Sequence, residues 1–174
     1  MILKIARMGH PVLRSRAQEV NDIHAPEITR LVEDMIETMG DASGAGLAAP
    51  QVHVPLRIMV FHVPHGRDGQ DGGRIPVTVL INPEIEVIGD EQNAAFEGCL
   101  SLPGMTGRVK RFTHIKYRGF DQQGNLIERE ASGFHARVVQ HEYDHLDGVL
   151  YPQRMDDLST FGYVEEMQKA SNQE

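Results

Sequence analysis

The segment His141-Glu142-Tyr143-Asp144-His145 sets two imidazoles four residues apart, with a carboxylate directly after the first. In an α-helix, residues at that separation stand one turn above another, so both rings can bind one metal ion. Glu142 lies about 100° around the helix from His141, off the line of the ligands yet near enough to exchange a proton with a water at the metal. The chemistry that suits this spacing is metal-assisted hydrolysis, with Glu142 transferring the proton. The pattern is short, and two neighbouring histidines on an exposed helix would produce it by chance. Phe134 and Val138 continue the histidine face towards the N-terminus. They give the ligands an apolar wall and a floor for a substrate side chain, or else ordinary core packing. Asp144 and Asp147 offer carboxylates that either orient the imidazoles or belong to a charged surface.

A catalytic divalent ion usually takes three protein ligands and keeps a position for water, so a third donor is needed. Cys99, in Glu97-Gly98-Cys99-Leu100-Ser101, is the natural candidate, because a metal stabilises a thiolate and Gly98 permits a close approach of the backbone. It is the only cysteine and cannot close an internal disulfide, which leaves inert packing and nucleophile as its other readings. Gly44-Ala45-Gly46-Leu47-Ala48-Ala49-Pro50-Gln51 is too rich in small residues for a helix. It reads as a tight loop that lets another chain approach, with Gln51 able to donate a hydrogen bond to a developing oxyanion. A phosphate-cradling loop would need a following lysine and hydroxyl residue that are missing here.

The elements that must hold these groups are visible as periodicity. Ile28, Leu31, Val32, Met35, Ile36 and Met39 recur at helical spacing over 26–39, with Pro26 at the entry and Gly40 at the exit. Residues 56–63 and 77–88 are apolar strand candidates separated by a Gly- and Asp-rich loop over 65–74. Residues 109–120 and 125–131 flank Asp121-Gln122-Gln123-Gly124 and read as a hairpin. Helical spacing returns over 133–145, and a last helix is expected over 156–167, capped by Asp156 or Asp157 with Leu158, Phe161, Val164 and Met167 on one side. Residues 2–14 read as a short strand or extended arm.

At 174 residues the chain suits one catalytic domain over 1–174, large enough to bury a real core. Its net charge of −8 argues against a surface built to neutralise phosphates, so no nucleic-acid site is expected. Arg108, Lys110, Lys116 and Arg118 share a strand parity and read as one solvated face. With neither a secretory leader nor an apolar run long enough to cross a membrane, a cytoplasmic location is expected.

Taken together, residues 44–51, residues 97–101 and Gln140-His141-Glu142-Tyr143-Asp144-His145-Leu146-Asp147-Gly148 resemble the three signature motifs of the peptide deformylase family, in that family's order and spacing. The likeness extends from Arg7 to Arg154. It implies an α+β fold in which antiparallel β-sheets surround a central metal-binding helix, with an N-terminal and a C-terminal helix. It also implies removal of the formyl group from the formylmethionine of nascent polypeptides, by attack of a metal-bound hydroxide with Glu142 as general base and acid. Cys99, His141 and His145 would be the metal ligands, while Gln51 and the backbone N–H of Leu100 would hold the oxyanion. Gly44, Ala45, Gly46, Gly98, Phe134 and Val138 would line the substrate site. Fe(II) is the expected ion, and Zn, Ni or Co could take its place. A monomer in transient proximity to the ribosome is the expected working form.

Ala45 departs from the larger aliphatic residue often found there, and Thr106 stands where some members carry arginine. Two other functions remain open at this point. A zinc endopeptidase shares the His-Glu-x-x-His helix, and a peptide-binding module could use the metal as a structural staple.

Overall fold

A computed structural model describes residues 1–65 and 73–171. After an arm that carries a short 3-10 turn at Pro11–Arg14, the first helix is α1 (Pro26–Asp41). Pro26 sits in its first turn, where the missing N–H is no loss, and Ile28, Val32, Met35 and Met39 form its buried stripe. The helix runs past the expected exit, with Gly40 inside it and Ala42 as the cap. The strands follow as β1 (Gly46–Ala48), β2 (Ile58–Val63), β3 (Ile75–Val87), β4 (Gln92–Cys99), β5 (Leu102–Phe112), β6 (His114–Phe120) and β7 (Leu126–Ser132). Then come α2 (Gly133–Leu146), β8 (Gly162–Tyr163) and α3 (Val164–Ser171).

The strands make a five-stranded sheet in the order β1-β2-β3-β6-β7 and a three-stranded sheet in the order β4-β5-β8. Every pairing between them is antiparallel. The α2 helix packs on strands of the larger sheet and on β5 of the smaller one, so it runs between the two. This is the α+β arrangement with a central helix that the sequence implied. Strand β2 explains how the layers lock. Met59 and Phe61 join the apolar cluster of Ala136, Val139 and Leu146 on α2, whereas Ile58 and Val60 join Val32, Met35 and Met39 on α1. Alternate side chains of one strand thus fix a helix on each face of the sheet.

Helix α2 ends in a doubly bonded turn. The amide of Val149 donates to the Asp144 carbonyl at 2.9 Å and that of Gly148 to the His145 carbonyl at 3.2 Å, with Gly148 at φ 74°. A side chain at Gly148 would also meet the Arg14 backbone, with its Cβ 2.7 Å from the carbonyl carbon. The last turn carrying His145 is therefore closed at its end and pinned to the N-terminal arm.

Several expectations are corrected. The run 109–120 is two strands, because β5 ends at Phe112 and β6 begins at His114 in the other sheet. Only β6 and β7 form the hairpin, with Asp121 Oδ1 accepting from the amides of Gln123 and Asn125 at 2.8 Å each. Arg108, Lys110, Lys116 and Arg118 therefore do not share one face. Lys110 pairs with Asp156, Lys116 with Glu128 and Arg118 with Glu84. The stretch 44–51 is not all loop, since it contributes β1 and then a 3-10 turn at Ala49–Val52. A continuous helix over 156–167 does not form. Asp157 caps a short turn at Leu158–Thr160, and Gly162 and Tyr163 pair with Thr106 and Met105 of β5 before α3 starts. Residues 2–14 contain no strand. Of the loop expected over 65–74, residues 66–72 lie outside the described residues. Among the described residues, no helix is long and apolar enough to cross a membrane.

Candidate metal centre

His141 and His145 face the same way on successive turns of α2, with ring centroids 5.0 Å apart. Opposite them, β4 carries an irregularity between Glu97 and Cys99 just before the chain turns into β5. This kink aims both side chains at the helix. Cys99 Sγ lies 3.4 Å from His145 Nε2, and the ligand atoms of Cys99, His141 and His145 all fall within 4.8 Å of one another. His145 is only 1% exposed, and its Nδ1 is buried without a hydrogen-bond partner. Two imidazoles and a thiol converging in this way make a donor set that suits a divalent metal ion.

The two histidines sit in opposite electrostatic surroundings. Burial, His141 and Arg111 hold the proton affinity of His145 well below the ordinary imidazole range, which leaves it neutral and able to ligate. Burial also works against a charged His141, but Cys99 and Glu97 outweigh it and raise its affinity. Glu97 is the more telling partner. Its Oε1 accepts from His141 Nδ1 at 2.8 Å, which holds a proton on Nδ1 and makes Nε2 the nitrogen available to a metal ion. The same carboxylate accepts two bonds of 3.0 Å from Arg111 and one of 2.7 Å from Arg137. Burial alone would make Glu97 harder to ionise; the bonds from His141 and Arg111 reverse this and hold its carboxyl well below the usual range.

Glu142 is 4% exposed, and its Oε2 is buried with no hydrogen-bond partner. Burial pushes its carboxyl up from 4.5 to about 7, against the pull of His141. A group that titrates near neutrality beside this ligand cluster can both take and return a proton. Gln51, 1% exposed, is oriented by the Ala48 amide, which donates to its Oε1 at 2.9 Å. That bond settles which end of the amide points where. Its Nε2 faces the cluster, donating to Ser101 Oγ at 3.2 Å and lying 3.5 Å from Cys99 Sγ.

These groups open into a cleft of about 510 Å³. Gly44, Ala45, Gly46, Gly98, Leu100, Phe134 and Val138 all line it beside Gln51, Cys99, His141 and Glu142. Of the ligands, catalytic groups and substrate-lining residues named from the sequence, all except the innermost ligand, His145, border this cleft.

The carboxylates expected to orient the imidazoles are elsewhere engaged. Asp144 is buried but bonds Arg111 and Arg154, and Asp147 pairs with Arg57. Asp144 leaves the helix from a different face than its neighbour His145, and Asp147 lies past the helix end as its cap. The histidine-orienting carboxylate is Glu97, which the sequence does not single out although it shares a pentapeptide with Cys99. Arg111, Arg137 and Ser101 are likewise not singled out. For Glu97 the only signal is a position two residues from Cys99, which shares its strand face; the arginines leave none, because they act across the space between the sheets.

The chain matches the family model described as polypeptide deformylase over residues 2–161. It is 49% identical over 165 residues to peptide deformylase 2 of Ralstonia nicotianae, which covers 95% of this chain and 93% of the relative. Against peptide deformylase 1 of Bordetella pertussis it is 50% identical over 165 residues, covering 95% and 94%. Among solved structures, a peptide deformylase from Ehrlichia chaffeensis superposes with a TM-score of 0.84 at 33% identity, over 99% of this chain and 97% of that one. A Met-Ala-Ser-bound class I type b peptide deformylase from Acinetobacter baumannii gives 0.81 at 34% identity, over 89% and 99%.

Proposed function

This chain belongs to the polypeptide deformylase family, and from that premise we propose how its side chains divide the work of hydrolysing a formyl amide. The enzyme removes the formyl group from the N-terminal formylmethionine of newly made polypeptides, releasing formate and a free amine. Neither a zinc endopeptidase nor a non-catalytic binding module is consistent with this membership.

The division of roles rests on one observation, the convergence of Cys99, His141 and His145 with Glu142 beside them in the cleft. Those three residues would hold one divalent ion, which when bound supplies Lewis acidity and eases loss of a proton from a coordinated water. We assign Fe(II) as the physiological ion, with Zn, Ni or Co able to replace it, since a mixed nitrogen and sulfur set accommodates all four. Glu97 keeps His141 in the ligating tautomer through the 2.8 Å bond to Nδ1.

Glu142 takes the proton of the attacking water on Oε2, the carboxylate oxygen with no protein partner. It then delivers that proton to the departing amine nitrogen, so the carboxylate ends as it began. Negative charge that grows on the formyl oxygen meets Gln51 Nε2 and the backbone N–H of Leu100. Phe134 and Val138 receive the methionine side chain, and Gly44 to Gly46 with Gly98 leave room for the peptide backbone. Met-Ala-Ser, held by the relative from Acinetobacter baumannii, has the chemistry of a deformylated product, which supports this substrate class. Because the substrate is a nascent chain, transient proximity to the ribosome is part of the same reading.

Assay of a formylmethionyl peptide with wild type and Glu142→Ala tests the roles. The variant should retain its metal and lose roughly 100- to 10,000-fold in turnover. Undiminished turnover in metal-loaded Glu142→Ala would remove Glu142 from the mechanism.

A further inference from the structure

Arg137 lines the cleft together with Phe134 and Val138, and the assigned chemistry gives it no task. It precedes His141 by four residues on α2. At 1.5 Å of rise per residue it lies about 6 Å from His141 along the helix axis, and Phe134 about 10.5 Å. A substrate side chain that leaves the reacting amine near His141 and runs back along α2 passes Arg137 before it reaches Phe134.

A cation on the wall of an otherwise largely apolar cleft could read an anionic side chain, but this one is fully engaged. Its Nη1 donates to Glu97 Oε2 at 2.7 Å and to the Val109 carbonyl at 2.8 Å. Its Nη2 donates to the Asn93 carbonyl at 3.1 Å and to Asn93 Oδ1 at 2.6 Å. The four Nη hydrogens are thus consumed by acceptors on β4 and β5, and the side chain is only 8% exposed. What remains for the cleft is the methylene stem with the single Nε–H at its end. Tied at its far end to two strands, that stem cannot swing aside as a free arginine would.

We propose that Arg137 is a specificity-determining residue whose tethered stem is a fixed wall of the cleft. It limits the first side chain of the formylated peptide to an unbranched apolar group of about methionine's length. The proposal rests on the assignment, given above, of this cleft to that side chain.

The test is a competition among three formyl peptides that differ only in their first residue: norleucine, the two-methylene-longer aminooctanoic acid, and glutamate. Relative rates in one vessel report ratios of kcat/KM, which do not depend on how much of a variant is folded or metal-loaded. Wild type should favour the norleucyl over the aminooctanoyl peptide by about 10-fold or more, and Arg137→Ala should erase that preference. Arg137→Met, which keeps an unbranched stem but loses the tether, should fall between wild type and Arg137→Ala. Arg137→Gln, shorter but still able to bond Asn93, should relax the preference by at least about threefold and stands in if the alanine variant does not fold. Unchanged ratios in Arg137→Ala, Arg137→Gln or Arg137→Met would overturn the proposal, as would a Met variant that shifts as far as Ala, or a wild type that prefers the glutamyl peptide. Should these ratios stay fixed while Glu142→Ala is inactive, the wall fails and the catalytic assignment stands. Should they shift while Glu142→Ala stays active, the wall stands and the catalytic assignment fails.

Discussion

Gly46 and Glu142 are packed so closely that a methyl group at position 46 would stand 2.6 Å from the Glu142 Cδ and 2.7 Å from its Cγ. Gly46 pairs with Phe61 at the start of β1, and the carboxylate rests against its bare Cα. Glu142 also lines the cleft, so its side chain can give way into that space. Gly46→Ala is therefore expected to displace the carboxylate rather than unfold the protein. Turnover should fall about 100-fold or more, the cost of misplacing a reacting group by an ångström, with little change in the circular dichroism spectrum. A Gly46→Ala enzyme of wild-type kcat would show that the carboxylate does not need this position.

Gln51→Ala should depress kcat by about 100- to 1,000-fold, as removal of one oxyanion donor typically does, while metal content stays intact. The amide is held at both ends, by the Ala48 N–H and by Ser101 Oγ, so it is already aimed before substrate arrives. Steady-state kinetics with metal analysis on the same sample separates a lost donor from a lost ion.

The pH profile should show an acid limb set by Glu142. Its carboxylate must be ionised to accept a proton, and burial raises its titration from 4.5 to about 7. A divalent cation nearby favours the ionised form and draws the titration back down. The limb of kcat/KM is accordingly expected between those two values, with activity lost as pH falls through it, roughly tenfold per unit. A profile flat down to pH about 4 would speak against Glu142 as the base.

Glu97→Gln should weaken metal binding by about 10- to 100-fold, because it loosens the bond that orients His141. It also leaves Arg111 and Arg137 without their shared negative charge, and breaking a buried pair typically costs about 3–5 kcal/mol. The sign of the pH dependence follows from a folded-state titration held below the ordinary 4.5. The contribution of Glu97 is fully present above that value and is lost as pH falls further. Competition with a chelator measures the first effect and acid denaturation of variant against wild type the second.

Air should inactivate the Fe(II) form faster than the Ni(II) form, since a cysteine ligand beside a redox-active ion is open to oxidation. Parallel decay curves for the two metal forms would exclude that route.

The sequence makes α1 and α2 readable because each buries one stripe against a neighbour, which writes a 3.6-residue period into the chain. His141, Glu142 and His145 are legible for the same reason, being close in sequence on one such helix. Strand β4 is not, since Gln92 to Cys99 is largely polar or small and alternates weakly. The boundary between β5 and β6 is also hidden. Thr113 alone separates two β-favouring runs, and nothing local says that they belong to different sheets. Segment 156–167 misleads because Leu158, Phe161, Val164 and Met167 keep helical spacing, while the pairing of Gly162 and Tyr163 with β5 overrides it. The arginine and carboxylate network around Glu97 joins residues 33 to 44 positions apart with its longer bonds, a range that periodicity does not reach.

Strand β2, with Met59 and Phe61 against α2 and Ile58 and Val60 against α1, ties the ligand helix to a helix that never touches the cleft. Opening either helix strips one face of the same strand, so the two are expected to open as one unit. The amide hydrogens of α2 should exchange with deuterated solvent only as fast as those of α1, and a cavity cut at Val60, remote from every ligand, should hasten both alike.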